Sequence, residues 1–286
     1  MPEHSPKREL LRLEHEPVAT APVEPHPVFL HELAGRSEEF RHLLAHFLLP
    51  SDLLVSFGID PVTWRNVEGR VMVQTATAED GHIWGLRLEN DIDPRDPLLE
   101  IEMTDTIFSR LSVTWVGIND PRAPRFDIDR TPAGGLTLRG AASRNLEAET
   151  AALLAGLAPG QVRSGLDSLR RLLADLEKLM AVLQHYEYEV EPLFYHNAIL
   201  FERCGFHYVK GRELMRRIHA GFLPDGDLQH HLDRSTLFRD PVSAGSIRGR
   251  SWAVHDGILG APWDDVKMIK RIGVDAGENT APGIPW

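Results

Sequence analysis

The stretch whose reading decides the fold is Asn197-Ala-Ile-Leu-Phe-Glu-Arg-Cys-Gly-Phe-His207. It reads as a short amphipathic helix halted by Gly205, with Phe206 re-entering a strand. Immediately upstream, Tyr186-Glu-Tyr-Glu-Val190 alternates as a strand does. Strand, helix, Gly-Phe and strand therefore follow one another within about two dozen residues.

Working outward from that segment, residues 161–184 carry Val162, Leu166, Leu169, Leu173, Leu176, Met180 and Leu183 on one stripe, which predicts a long helix. Residues 145–156 predict a shorter one, separated from it by the break at Pro159-Gly160. From 68 to 140 the period changes to two. Val71 and Val73, then Trp84, Leu86 and Leu88, then Leu99, Ile101 and Met103, then Leu111, Val113 and Trp115 alternate with polar or small neighbours. Such alternation favours an antiparallel sheet with one face covered. A last strand is expected over 135–139. Residues 37–49, with Ser37 as cap and Pro50 as stop, predict a helix, and 52–57 a second short apolar segment. On the far side, 206–209 is expected as a strand and 211–220 as a helix. In the Gly/Pro-punctuated tail, 247–254 reads as a strand and 263–271 as a helix. The expected class is α+β, an antiparallel-rich mixed sheet with packed helices. The expected organisation is a Pro-rich arm over 1–36, a domain over 37–220 and an extension packed on it over 221–286.

Composition narrows the function classes. The 286 residues can bury a sizeable core. The net charge of −11 predicts repulsion from nucleic-acid phosphates. The single cysteine, Cys204, excludes an internal disulfide and a paired-cysteine metal site, and its place on a short helix predicts a packed, inert thiol. No stretch approaches the ~20 apolar residues of a membrane span. The charged, proline-rich start lacks the apolar core of a secretory signal, which makes the cytoplasm the expected location.

The element order from 68 to 209 resembles that of the GNAT acyltransferases. In that family acyl-CoA lies in a wedge between two splayed central strands, with its pyrophosphate held by backbone N–H groups at the start of the long helix. The family's Gln/Arg-x-x-Gly-x-Gly/Ala motif is met in part by Gln161-Val-Arg163-Ser-Gly165, with one glycine present, one residue late, and the second absent. The family's Asn-x-x-Ala-Ile-x-Leu-Tyr-Glu-x-x-Gly-Phe segment is similar to Asn197 through Phe206, most closely from Phe201 to Phe206. The resemblance implies acetyl-CoA or another acyl-CoA as cofactor and an amine on a small molecule or protein as acceptor. Gln161, Arg163 and Gly165 would approach the pyrophosphate, and Asn197 the pantetheine end. Glu191, or a carboxylate from the strands, would serve as general base. Where the family often has a proton-donating tyrosine, this chain has Phe201, so Tyr195 upstream is the candidate acid. These departures also keep open a non-catalytic ligand-binding protein on the same fold.

Other constellations point elsewhere. His230, His231 and Asp233 lie within four residues, His255-Asp256 lies downstream, and His196 and Glu191 lie beside the helix halted by Gly205. Imidazole with carboxylate suits zinc or non-haem iron, so a metal-dependent enzyme is the alternative. Neither His230 nor His231 has a helical i+4 histidine partner, which favours surface or capping histidines over metal ligands. Asp91, Asp93 and Asp96 begin like a calcium loop but lack its glycine and its final glutamate, which favours solvated turn aspartates. Asp127 and Asp129 read as an acid/base pair or as partners of Arg122, Arg125 or Arg130. Arg248 and Arg250 flank a glycine and offer a guanidinium fork for a phosphate or carboxylate.

Overall fold

The computed structural model describes residues 26–34, 38–78, 81–108, 110–137 and 143–286. Helices α1 (Leu30–Ala34), α2 (Glu38–Leu48) and α3 (Ser51–Ser56) come first, then strands β1 (Val73–Thr77), β2 (Ile83–Leu88), β3 (Leu99–Asp105) and β4 (Leu111–Ile118). Helix α4 (Leu146–Leu154) and the long α5 (Leu169–Val182) lead to β5 (Glu187–Val190), α6 (Tyr195–Glu202), β6 (His207–Lys210), α7 (Arg212–Gly221) and α8 (Asp227–His230). Two short 3₁₀ turns, α9 (Ile247–His255) and β7 (Lys267–Arg271) complete the order. The protein is thus α+β, with one seven-stranded mixed sheet in the order β1-β2-β3-β4-β5-β7-β6.

The four N-terminal strands form an antiparallel meander, as their alternation requires. Leu86, Leu88, Ile101 and Met103 are all but excluded from solvent, while Arg87 and Glu100 between them stay half-exposed and pair with each other across the ladder. Strands β4 and β5 are parallel, and every other neighbouring pair is antiparallel. A parallel pair needs a long crossover, here residues 119–186, which hold α4 and α5. The apolar stripe of α5, including Leu172, Leu173, Leu176, Leu179 and Met180, is buried, and α2 packs against this helix.

Several expectations are corrected. The long helix begins at Leu169, not 161; Gln161 to Ser168 is an irregular loop. Residues 247–255 form a helix where a strand was expected. Ile247, Arg250, Ser251, Trp252, Ala253 and Val254 are all buried, so the helix has no polar face to reveal its period. Residues 267–271 form a strand where a helix was expected. β7 lies between β5 and β6, so Met268, Ile269 and Lys270 are covered on both faces and do not alternate. The tail beyond 220 therefore supplies an interior strand of the sheet, next to the edge strand β6. In the region expected as an arm, 26–34 is docked. Val28 N–H donates to Leu183 O at 2.9 Å, and Leu30 is buried in the core. The expected strand over 135–139 is reduced to a single bridge between Arg130 and Leu136, and residues 138–142 lie outside the described residues, as do 1–25 and the Ser37 cap.

Candidate functional site

Strands β4 and β5 pair over only three residues, Leu111 with Tyr188, Ser112 with Glu189 and Val113 with Val190. Beyond that point β4 continues to Ile118 and, among the described residues, has a strand partner on its β3 side alone. The parting has a local cause. Across β3 and β4, Glu102 faces Trp115 but Met103 faces Val113, so Thr114 is one residue extra on β4. Such a bulge bends and twists its strand and re-aims the side chains around it. On the other side Pro192, which has no N–H to donate, follows Glu191 just past the end of β5. The two strands thus part as a wedge at their C-terminal ends, past Val113 and Val190.

The loop 161–168 closes down on this wedge. Ser164 O accepts from Asp120 N–H at 2.9 Å, and Val162 O from Phe126 N–H at 2.7 Å. A side chain at Gly165 would stand 3.2 Å from Ile118 O, at the end of β4. Among the described residues nothing accepts from the backbone N–H groups of Gly165, Leu166, Asp167 and Ser168. The first N–H groups of α5, which follow at once, have no intrahelical partner either.

The side chains expected to serve this wedge are placed as follows. Gln161 accepts from Ala158 N–H at 2.7 Å and so holds its own loop. Arg163 is buried beneath the loop, bound to Asp93 and Asp96 at 2.7 Å and donating to Pro121 O and Ala123 O, so its guanidinium is engaged in holding the loop. Its partner Asp96 is likewise buried and also holds Arg125, which corrects the reading of Asp93 and Asp96 as solvated turn residues. Bonds from Arg95 keep the Asp93 carboxyl well below the usual range, with Arg163 adding to them. Arg125 goes on to Asp127 and Asp129, which are thereby ion-pair partners.

Glu191 stands exposed at the mouth of the wedge, 3.8 Å from Lys267. Tyr195 opens α6 and is buried, and among the described residues its hydroxyl meets no hydrogen-bond partner at normal geometry. Burial pushes that hydroxyl up to about 12, against the opposing pull of Arg250. Asn197, half-buried, donates towards His196 Nε2 at 3.2 Å. The Phe201 to Phe206 string is fully used by the end of α6. Phe206 N–H reaches back to Phe201 O, Gly205 N–H to Glu202 O, and the rings of Phe201 and Phe206 meet at 5.0 Å. That is a Schellman ending with its apolar contact, and it needs the left-handed Gly205, whose φ is +83°. Glu202, also buried, binds the Tyr208 hydroxyl at 2.5 Å and Thr280 N–H at 3.0 Å. Cys204 is half-buried and burial raises its pKa, as an inert thiol requires.

The histidines singled out from sequence are not brought together. His230 and His231 are exposed at the end of α8. His196 is buried against Ser251, while His255 faces Glu149 at 3.4 Å. Asp256 is taken by Arg144 and Arg239, and Asp233 turns back on Ser235 N–H. Arg250 is buried, donating to Ala244 O, so the expected fork with Arg248 does not form. Sequence reasoning missed Thr114. A bulge has no letter of its own and shows only in the pairing of β3 with β4.

Neither a known family model, nor a curated protein, nor a solved structure matches this chain. Among the described residues no helix is long and apolar enough to cross a membrane.

Proposed function

We propose that the chain binds acyl-CoA in the wedge between β4 and β5 and transfers the acyl group to an amine, as the resemblance to GNAT acyltransferases implies. The single observation that carries this reading is the bulge at Thr114 where β4 leaves β5. It opens a strand edge within the sheet, beside unpaired N–H groups at the start of a fourteen-residue helix. An extended chain carrying amides can pair with a free strand edge. The pantetheine arm of CoA has two amides. A helix N-terminus with free N–H groups suits its pyrophosphate. Gly165 leaves room for that approach, Gln161 shapes the loop, and Asn197 stands on the helix that follows β5. Arg163 supports the loop from beneath. In this reading Glu191 at the mouth takes the amine proton. Tyr195, held protonated by burial, supplies a proton to the leaving thiolate once cofactor opens its surroundings.

Specific observations favour a second reading, cofactor binding without transfer. Phe201 replaces the expected donor, Tyr195 has almost no exposed surface, and Glu191 lies beside Lys267. Calorimetric titration of the full chain with acetyl-CoA tests the common core. Saturable binding with 1:1 stoichiometry is expected, lost in Gly165→Val, whose side chain would obstruct the loop. Absence of heat and of any thermal shift at millimolar cofactor would overturn both readings. Turnover with a panel of amines, abolished by Tyr195→Phe, supports transfer; binding without turnover leaves the binding protein.

A further inference from the structure

At the opposite end of the sheet, where β3 ends and β4 begins, three side chains from separate parts of the chain converge. Asp105 closes β3. His82 lies immediately before β2, directly across from it, and Asp105 N–H donates to His82 O at 3.0 Å. His31 is brought over them by α1. Its Nδ1 lies 3.0 Å from Asp105 Oδ2, and His82 Nδ1 lies 3.2 Å from the same oxygen. All three ligand atoms fall within 4.8 Å of one another. We propose that His31, His82 and Asp105 form a binding site for a zinc-class divalent cation.

Two imidazoles and one carboxylate are the donor set of zinc and its neighbours cobalt and nickel, and not of calcium or magnesium, which take oxygen ligands. The geometry fits that size. With metal–ligand bonds of about 2.0–2.1 Å, two ligands on a tetrahedral ion stand about 3.4 Å apart. The two histidine-to-carboxylate separations are already close to that value. The site is also braced. The Asp105 carboxylate is nearly buried and is held by Leu30 N–H at 3.0 Å and His31 N–H at 3.1 Å. Backbone donors of this kind fix a ligating carboxylate in place. Phe29 stacks on the His31 ring at 5.7 Å and 10°, and the two imidazoles face each other at 4.9 Å. The β2–β3 register fixes two ligands rigidly, and only the third rides on α1. With three protein ligands the ion keeps a position for water.

The site joins the first helix to the sheet far from the wedge, so it stands independently of the acyltransferase reading. Bound cation would staple α1 to the β2–β3 end. Its first consequence is stability, since a ligand that binds only the folded state raises the unfolding midpoint. Acidification should release it, because ligating imidazoles must lose a proton.

The test uses the full chain without a polyhistidine tag, stripped with chelator and titrated with Zn²⁺ or Co²⁺. One equivalent of Co²⁺ is expected to give the visible bands of a four- or five-coordinate ion, and Zn²⁺ to displace it and raise the thermal midpoint. His82→Ala and His31→Ala are each expected to weaken binding at least tenfold and to remove the thermal shift. His82→Gln, which keeps a polar side chain, guards against a packing effect, and its metal-free midpoint should match the parent's. The double change His230→Ala with His231→Ala should leave binding untouched. No stoichiometric ion, or an ion held as tightly after His82→Ala and His82→Gln, overturns the proposal and leaves an ion-pair cluster that holds α1 by hydrogen bonds alone.

Discussion

His196 shows most clearly how burial sets a single residue's behaviour. Its Nδ1 is 2.9 Å from Ser251 Oγ, and Asn197 Nδ2 donates towards Nε2 at 3.2 Å. With Nε2 accepting, the Nδ1 proton goes to the serine, so the ring is satisfied in its neutral form. Burial pushes its pKa down to about 3, and the charges of Arg248 and His255 push the same way. In the unfolded chain the ring takes a proton near pH 6.5. The folded state refuses that proton, so stability is full above pH 6.5 and falls as pH drops from there towards 3. The slope is about 1.4 kcal/mol per pH unit, or about 2 kcal/mol between pH 6.5 and 5. Urea unfolding of His196→Asn across that range should show a slope shallower by about that amount. His46 and His219, also lowered by burial, retain their share. An unchanged slope would show that His196 is not the group that titrates.

At the scale of the element, the end of α6 is the part that sequence described best and interpreted least. Phe201, Gly205 and Phe206 were legible because a Schellman ending has fixed chemical demands: a left-handed residue and two apolar partners around it. Those demands are local, so they are written in consecutive letters. A Cβ at Gly205 would meet Lys270 Nζ at 2.6 Å and Asp275 Cα at 3.1 Å. Lys270 uses that position to bind Cys204 O and Val274 O. Gly205→Ala should therefore cost about 2 kcal/mol, from the left-handed backbone and the displaced lysine together. Chemical denaturation reads this directly, and a loss under about 0.5 kcal/mol would show that the close approach relaxes freely. Helix α9 and strand β7 were misread for the converse reason. No residue of α9 is fully exposed, and Met268, Ile269 and Lys270 of β7 are buried in succession, so neither element prints a two-faced period in its letters.

For the whole molecule, the last fifty residues are structural. β7 fills the gap between β5 and β6, and the tail after it is pinned by Thr280 on Glu202 and by Pro285 O on Ile247 N–H. A chain ending at residue 264 leaves β6 without a neighbour and uncovers Glu202 and Tyr208. Loss of the cooperative thermal transition, with elution as a large or expanded species, is expected. A truncated chain that melts sharply near the parent's midpoint would show that β7 is dispensable.

The amino-acid sequence by itself determined the α+β class, the four antiparallel strands and the amphipathic helix α5. In each, one face meets water and the other the core, so the period of the element is printed in its letters. It also determined the end of α6, where the constraint is covalently local. Only the tertiary structure decided that Arg163 lies under its loop bound to Asp93 and Asp96, that β4 bulges at Thr114 as it leaves β5, and that β7 threads between β5 and β6. It alone brought His31, His82 and Asp105 together from positions 51 and 23 residues apart. Pairings between distant strands and ion pairs across loops depend on where the chain returns in space, and no run of neighbouring residues carries that information.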